Sequence, residues 1–263
     1  MQKKLLLLFA VIYFSCEEST PIRDNPFDDE SGDYVEPTIL LISDISDGDT
    51  LYTENVTILW EGNELVSEFR YKLDMFDWTE WSENSEAELN YLDEGSHLVY
   101  AQSRYLSGDT SDVVSISFVV DAVDGPSLMF QPRRNFAEVG ETVTFQIIAE
   151  EVSNLMMSEI NIGYDPQALQ IISIEQGSFF QDSQSSIFLY EDNPETGLIQ
   201  VNTTILDGNT SAISGTGSLA IVEVKLIEAV SSTIIFQGTD TFIDPENNVI
   251  EISERISGIV EAK

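Results

Sequence analysis

The chain of 263 residues carries 47 Asp and Glu against 11 Lys and Arg, a formal charge of −36. That field repels phosphate backbones and disfavours a basic surface docked on anionic lipid, so nucleic acid is excluded as a partner. With 42% hydrophobic and 10% aromatic residues the chain has apolar mass for one large or two ordinary domains, while a single histidine, His97, and a single cysteine, Cys16, exclude most His-based metal sites, nucleophile–His hydrolysis, internal disulfides and cysteine-rich zinc sites.

Residues 1–16 read MQKKLLLLFAVIYFSC. Lys3 and Lys4 form a cationic start, and the apolar run Leu5–Phe14 is too short for a membrane-spanning helix, which needs about 20 residues, but suits a signal peptide. Ser15 followed by Cys16 resembles the lipobox of bacterial lipoproteins. The resemblance implies cleavage before Cys16, acylation of that cysteine, and an exported protein held on the bacterial membrane by lipid at the cell surface. Residues 17–35, EESTPIRDNPFDDESGDYV, are acidic, with Pro and Gly and no apolar period. The reading is a signal peptide over 1–15 and an extended, disordered tether over 16–36.

From Pro37 apolar residues alternate at period two. Val56, Ile58 and Trp60 form one set, Phe69, Tyr71 and Leu73 a second, Leu98 and Tyr100 a third, and Val114, Ile116 and Phe118 a fourth. Such alternation with β-branched and aromatic residues predicts short strands in a sandwich over 37–124. The segments FRYKLDMFDWTEWSE and LDEGSHLVYAQSRYLSGD resemble immunoglobulin-like or fibronectin-III-like modules. Trp60 is expected in the core, Trp78 and Trp81 at a corner, and His97 at the Gly95–Ser96 turn. Asp44, Asp47 and Asp49 are expected to form a strand-connecting turn rather than a calcium loop, since no glutamate closes the spacing.

Asp121–Pro126 is a polar Gly-Pro hinge, after which alternation restarts in Val143, Phe145 and Ile147 and again in Ile160, Ile162 and Tyr164. No stretch holds a helical period, so 126–263 is predicted to be a nine-stranded jelly-roll sandwich and the chain all-β. Five segments then line up in order: SLMFQPRRNFAEVGETVTFQIIAEEVSNL, MMSEINIGYDPQALQIISIEQGSFF, GLIQVNTTILDG, SGTGSLAIVEVKLIE and TFIDPENNVIEI. Together they resemble a cohesin, with Tyr164, Asp165, Pro166 and Leu169 carrying its Tyr-Asp-Pro-x-x-Leu signature.

The resemblance implies a non-catalytic module related to carbohydrate-binding modules. It further implies binding of dockerins, calcium-loaded domains attached chiefly to polysaccharide-degrading enzymes. The calcium is then the partner's, and this chain needs no cofactor. The resemblance also places binding on one flat sheet face. Alternation assigns Met157, Glu159 and Asn161 to that face, Phe188 and Tyr190 to a neighbouring strand, and Gln200 and Asn202 to the next. Phe188 and Tyr190 are expected as its aromatic anchors. A polysaccharide-binding surface protein and a structural module without a dockerin partner are the alternatives. Among 47 acids, carboxylate pairs arise by chance and give no warrant for a glycosidase.

Lipidation of Cys16 is directly testable. Cys16→Ala is expected to release the protein into the soluble fraction after membranes are washed. Retention equal to the unaltered protein would refute the anchor.

Overall fold

The computed structural model describes residues 24–181, 186–206 and 212–263. The signal segment and Cys16 lie outside the described residues. Every regular element among the described residues is a β-strand.

The first module holds β1 (Ile39–Leu41), β2 (Asp49–Leu51), β3 (Val56–Gly62), β4 (Glu68–Leu73), β5 (Glu86–Leu89), β6 (Gly95–Arg104) and β7 (Val114–Val120). They form two facing sheets, ordered β1-β3-β5 and β2-β7-β6-β4. The period-two sets meet between them. Ile58 and Trp60 from β3, Val99 and Ala101 from β6, and Ile116 and Phe118 from β7 share one core. Trp60 is 2% exposed and its indole Nε1 donates to the Asn84 carbonyl, which satisfies the one polar atom buried with the ring. His97 is structural as well. Its Nε2 donates to the Asp93 carbonyl and its Nδ1 lies 2.8 Å from the Asp74 carboxylate.

Residues 24–36, expected to belong to a disordered tether, instead pack on this module. Asn25 Oδ1 accepts the Phe27 N–H, closing a turn that sets the Phe27 ring edge-on to Tyr105 at 5.5 Å. The Tyr105 hydroxyl donates to the Val35 carbonyl and accepts from Asn63 Nδ2, so a fully buried ring gains one of its hydrogen bonds from the tether. A buried tyrosine needs such a partner, and composition alone does not reveal that demand.

The second module holds β8 (Ser127–Gln131), β9 (Arg134–Ala137), β10 (Thr142–Leu155), β11 (Met157–Tyr164), β12 (Leu169–Gln176), β13 (Ser186–Asn193), β14 (Leu198–Ile205), β15 (Ile213–Leu226), β16 (Ser232–Phe236), β17 (Thr241–Ile243), β18 (Glu254–Ile256) and β19 (Gly258–Ala262). One sheet is ordered β12-β15-β10-β8-β18. The other is ordered β13-β14-β11-β16-β19-β9, with β17 also paired to β11. Nine of these strands have five residues or more, and the shorter β9, β17 and β18 bring the described total to twelve. Segments of three or four residues are too short to show a period.

A continuous core joins the sheets, with Phe145 and Ile147 from β10, Ile160 and Ile162 from β11, and Val222 and Val224 from β15 all fully buried. The partners β10 and β15 slip register three times, and in the second and third slips Glu151 and Asn154 adopt positive φ. The Glu151 N–H donates to Thr216 Oγ1 and the Asn154 N–H to Ser214 Oγ. Hydroxyls thus replace the ladder bonds these two slips forfeit, and Val152 and Leu155 stay in the core. The Tyr-Asp-Pro signature is also scaffold. Asp165 accepts the Gln167 N–H through its side chain and the Leu169 N–H through its carbonyl, while Tyr164 donates its hydroxyl to Asp192.

The expected hinge is packed. Val123 is buried with Met129 and Ile148, and a Cβ on Gly125 would sit 2.3 Å from that of Glu151. Arg133, 7% exposed, donates its N–H to the Asp93 carboxylate of the first module and its guanidinium to Glu54. Beside this clasp lies a cleft of about 630 Å³ lined by Glu94, Asp121 and Glu150 among others. Burial pushes the carboxyls of Asp93, Glu94 and Glu150 above their ordinary range. Repulsion from Glu150 and Asp121 adds to this at Glu94, and from Glu151 and Asp121 at Glu150.

A group with a raised folded-state pKa binds its proton more tightly folded than unfolded, so its stabilising contribution is present at low pH and lost as pH rises through the folded value. The thermal midpoint is therefore expected to rise as pH falls from 7 toward about 5. The Glu94→Gln/Glu150→Gln double variant should flatten that dependence. An unchanged slope in the double variant would remove the cleft carboxyls as its cause.

Candidate partner-binding face

β11 is the central strand of the face. Its alternation sends Ser158, Ile160 and Ile162 inward, all of them fully buried, and leaves Met157, Glu159 and Asn161 half-buried on the other side. The register with its neighbours defines what stands beside them. β14 places Thr204 opposite Met157, Asn202 opposite Glu159 and Gln200 opposite Asn161. β13 continues these rows with Ile187, Leu189 and Glu191. On the far side β17 adds Ile243 beside Met157 and Thr241 beside Glu159.

Directly opposed residues on adjacent strands share a face of the sheet. The outer face therefore carries three rows. The first, Ile187–Thr204–Met157–Ile243, is mostly apolar. The second is Leu189–Asn202–Glu159–Thr241, and the third, Glu191–Gln200–Asn161, is polar. Leu189 is 62% exposed and Ile187 37% exposed. Aliphatic groups left open beside methionine, on a face rimmed by polar side chains, have the composition of an interaction surface.

Five of the seven sequence-assigned residues, Met157, Glu159, Asn161, Gln200 and Asn202, are brought together on this face. Phe188 and Tyr190 are not. Phe188 stands opposite Thr203 and Tyr190 opposite Val201, both buried inward residues, so their side chains lie on the inner parity of the sheet. Phe188 packs on the core, and Tyr190 remains half-exposed on the edge strand. β13 has apolar residues on both parities, at Ile187 and Leu189 as well as Phe188 and Tyr190, so alternation alone does not orient it.

Packing supplies the reason. Across the inner side runs the row Phe188–Thr203–Ser158–Phe242, in which two rings flank two small residues. The small side chains leave the volume that the rings fill. Reversing β13 would put Ile187 and Leu189 inward and leave both aromatics without that space. Ser158 Oγ and Thr203 Oγ1 are buried there without a hydrogen-bond partner. Sequence reasoning missed Ile187, Leu189, Glu191 and Ile243, and the signal that finds them is the pairing of large rings with Thr203 and Ser158.

The polar row is organised by amides. Gln200 Nε2 donates to Glu159 Oε1 at 3.1 Å and to Asn161 Oδ1 at 3.4 Å, and Asn161 Nδ2 donates to the Thr239 carbonyl. The Asn161 N–H donates to Asp240, which Arg255 holds through its other carboxylate oxygen. At this end the face opens into a cavity of about 490 Å³.

The indole rings of Trp78 and Trp81 in the first module are occupied. Arg70 lies between Trp78 and Trp81, 4.6 and 4.5 Å from their ring centres, and Arg104 also covers Trp81 at 4.5 Å. A sugar ring stacking on these indoles would have to displace a guanidinium. The Asp47 carboxylate accepts both the N–H and the hydroxyl of Ser117, and Asp49 accepts the Ser46 N–H, so these acids close a turn.

Comparison with known proteins places this geometry in a family. The cohesin domain family matches residues 130–261. Among solved structures, a type II cohesin domain from the cellulosome of Acetivibrio cellulolyticus is 19% identical, with 51% of this chain and 92% of that chain covered and a TM-score of 0.46. A non-cellulosomal cohesin from the archaeon Archaeoglobus fulgidus is 22% identical over 52% of this chain and 90% of that chain, with a TM-score of 0.43. A type I cohesin in complex with a dockerin from Clostridium thermocellum is 19% identical over 52% of this chain and 98% of that chain, with a TM-score of 0.46. Comparison with curated proteins gives no match. The family match spans half of the sequence and coincides with the two-sheet module that carries the face, and on that ground the chain belongs to the cohesin domain family.

Proposed function

We propose that this protein is a non-catalytic receptor that captures dockerin-bearing proteins on the outer face of β13, β14, β11 and β17. The observation that carries the reading is this partly apolar outer sheet face within a module of the cohesin family. The first module acts as a spacer, and lipid on Cys16 holds the assembly at a bacterial membrane, exposed at the cell surface. The captured proteins are enzymes of polysaccharide breakdown, and their dockerins supply the calcium.

Direct carbohydrate binding is the weaker reading, because Arg70 and Arg104 cover the indole faces that would serve as a platform.

The immobilised full-length protein is expected to retain dockerin-bearing proteins from the producing cells' secretions, and a calcium chelator should release them while leaving the receptor's own thermal transition nearly unchanged. Leu189→Asp should weaken capture about ten-fold or more at unchanged stability, because it places a charge in the apolar zone. Phe188→Ala should instead lower stability by about 1–3 kcal/mol, as expected for a half-buried ring facing the core. Retention that ignores the chelator, or that Leu189→Asp leaves intact, would count against this function.

A further inference from the structure

Tyr190 belongs neither to the outer face nor to the core. It is 52% exposed on the inner parity of β13, with its ring 6.1 Å from that of Phe188. β13 is the terminal strand of its sheet and pairs with β14 from Ser186 to Asn193 without a register shift. Along its other edge the N–H and C=O groups take no backbone partner among the described residues. The remaining sheet edges are protected. β1, β2 and β18 have three residues each, and β9 has four. β5 also has four, and exposes Glu86 and Glu88. β12 is bulged between Ile171 and Ser173, and β4 is covered where Phe69 bridges to Ser82. β13 has eight residues, no Lys, no Pro, no bulge, and apolar side chains on both parities. An edge of that kind is a template for one more strand.

We propose that the free edge of β13 pairs antiparallel with β13 of a second copy of this chain, about a two-fold axis at Leu189. The two outer faces then lie side by side on one continuous sheet, whatever each of them binds. An open ladder calls for an extended strand as its occupant. A strand that fits here needs apolar side chains on both parities, and SIFLYEDN is its own match. With the axis at Leu189, Phe188 stands opposite Tyr190 of the second copy and Tyr190 opposite its Phe188. Opposed aromatic rings stabilise an antiparallel pair, and the half-exposed Tyr190 gains a cover. Glu191 faces Ile187 and Asp192 faces Ser186, so no two acids are opposed. Moving the axis to Tyr190 would set Phe188 against Asp192 and Leu189 against Glu191, which places carboxylates against apolar groups. Moving it to Phe188 would shorten the ladder to Ser186–Tyr190. Parallel pairing in register would stack Glu191 and Asp192 on their own copies.

Cysteine cross-linking of the full-length protein on the producing cells tests the register. The chain has one cysteine of its own, Cys16, so the unaltered protein sets the background. Under a mild oxidant Leu189→Cys is expected to give a disulfide-linked dimer, because opposed Cα atoms lie roughly 4.5–5.5 Å apart, within disulfide reach. Ile187→Cys shares the same parity but should give no dimer above background, since its counterpart lies about 13 Å further along the ladder. Adding Glu191→Cys to Ile187→Cys should restore the dimer. Adding Tyr190→Asp to Leu189→Cys should cut the yield about five-fold or more at unchanged thermal stability, by setting a carboxylate against Phe188, whereas Tyr190→Phe should leave it intact. Added salt should raise the yield, because both copies are strongly acidic. Equal yields from Leu189→Cys and Ile187→Cys, no dimer from Leu189→Cys, a yield indifferent to Tyr190→Asp, or a cross-link to a different protein in place of a second copy would each overturn the pairing. Capture of dockerin-bearing protein by Tyr190→Asp is measured alongside, and capture kept while the dimer is lost would show that the edge acts apart from the outer face.

Discussion

The second module depends on how one strand is held. β11 is paired to β14 along one edge and to β16 and β17 along the other, so its side chains have no freedom to choose a face. Ile160 and Ile162 go inward to the shared core, and with the same stroke Met157, Glu159 and Asn161 are presented outward. A slip of one residue would bury Glu159 and expose two isoleucines. Burying an unpaired carboxylate costs far more than any gain from the face, so the register that builds the core is also the register that builds the outer face.

The layer beneath the face shows how the edge is settled. Phe188 and Phe242 bracket Thr203 and Ser158, and the rings fill volume that a uniform row of medium side chains would fill less well. Two hydroxyls stay without partners in exchange. Each such buried group costs about 1–3 kcal/mol, comparable to the burial of one large apolar side chain, so the row is close to balanced in energy. What it adds is direction, because only one orientation of β13 fits the rings.

Contacts between the modules change the character of their connection. Arg133 sits in the corner between β8 and β9, where Asp93 holds its N–H and Glu54 its guanidinium. The ring of Tyr91 lies 5.6 Å from the guanidinium of the next residue, Arg134. With Val123 buried beside Met129 and Ile148, the connection is a packed joint. A joint of this kind limits the swing of the face about the first module, and acidic groups in the adjacent cleft tie its stability to pH.

Much of the protein was legible from its residues. Period-two alternation announced the strands of both modules, and the Tyr164-Asp165-Pro166 turn marked the second module's family. The inward Ile160 and Ile162 placed Met157, Glu159 and Asn161 on the outer face, because alternation within a strand is local chemistry. Tertiary structure alone decided the rest. The parity of β13 was ambiguous while both of its faces read as apolar, and it resolved only against Thr203 and Ser158, residues distant in sequence. The tether's seat on Tyr105 and the Arg133 clasp likewise join groups far apart along the chain. Periodicity reports which side of a strand faces a neighbour, whereas the identity of that neighbour is fixed by volume and hydrogen-bond demand once the sheets have closed.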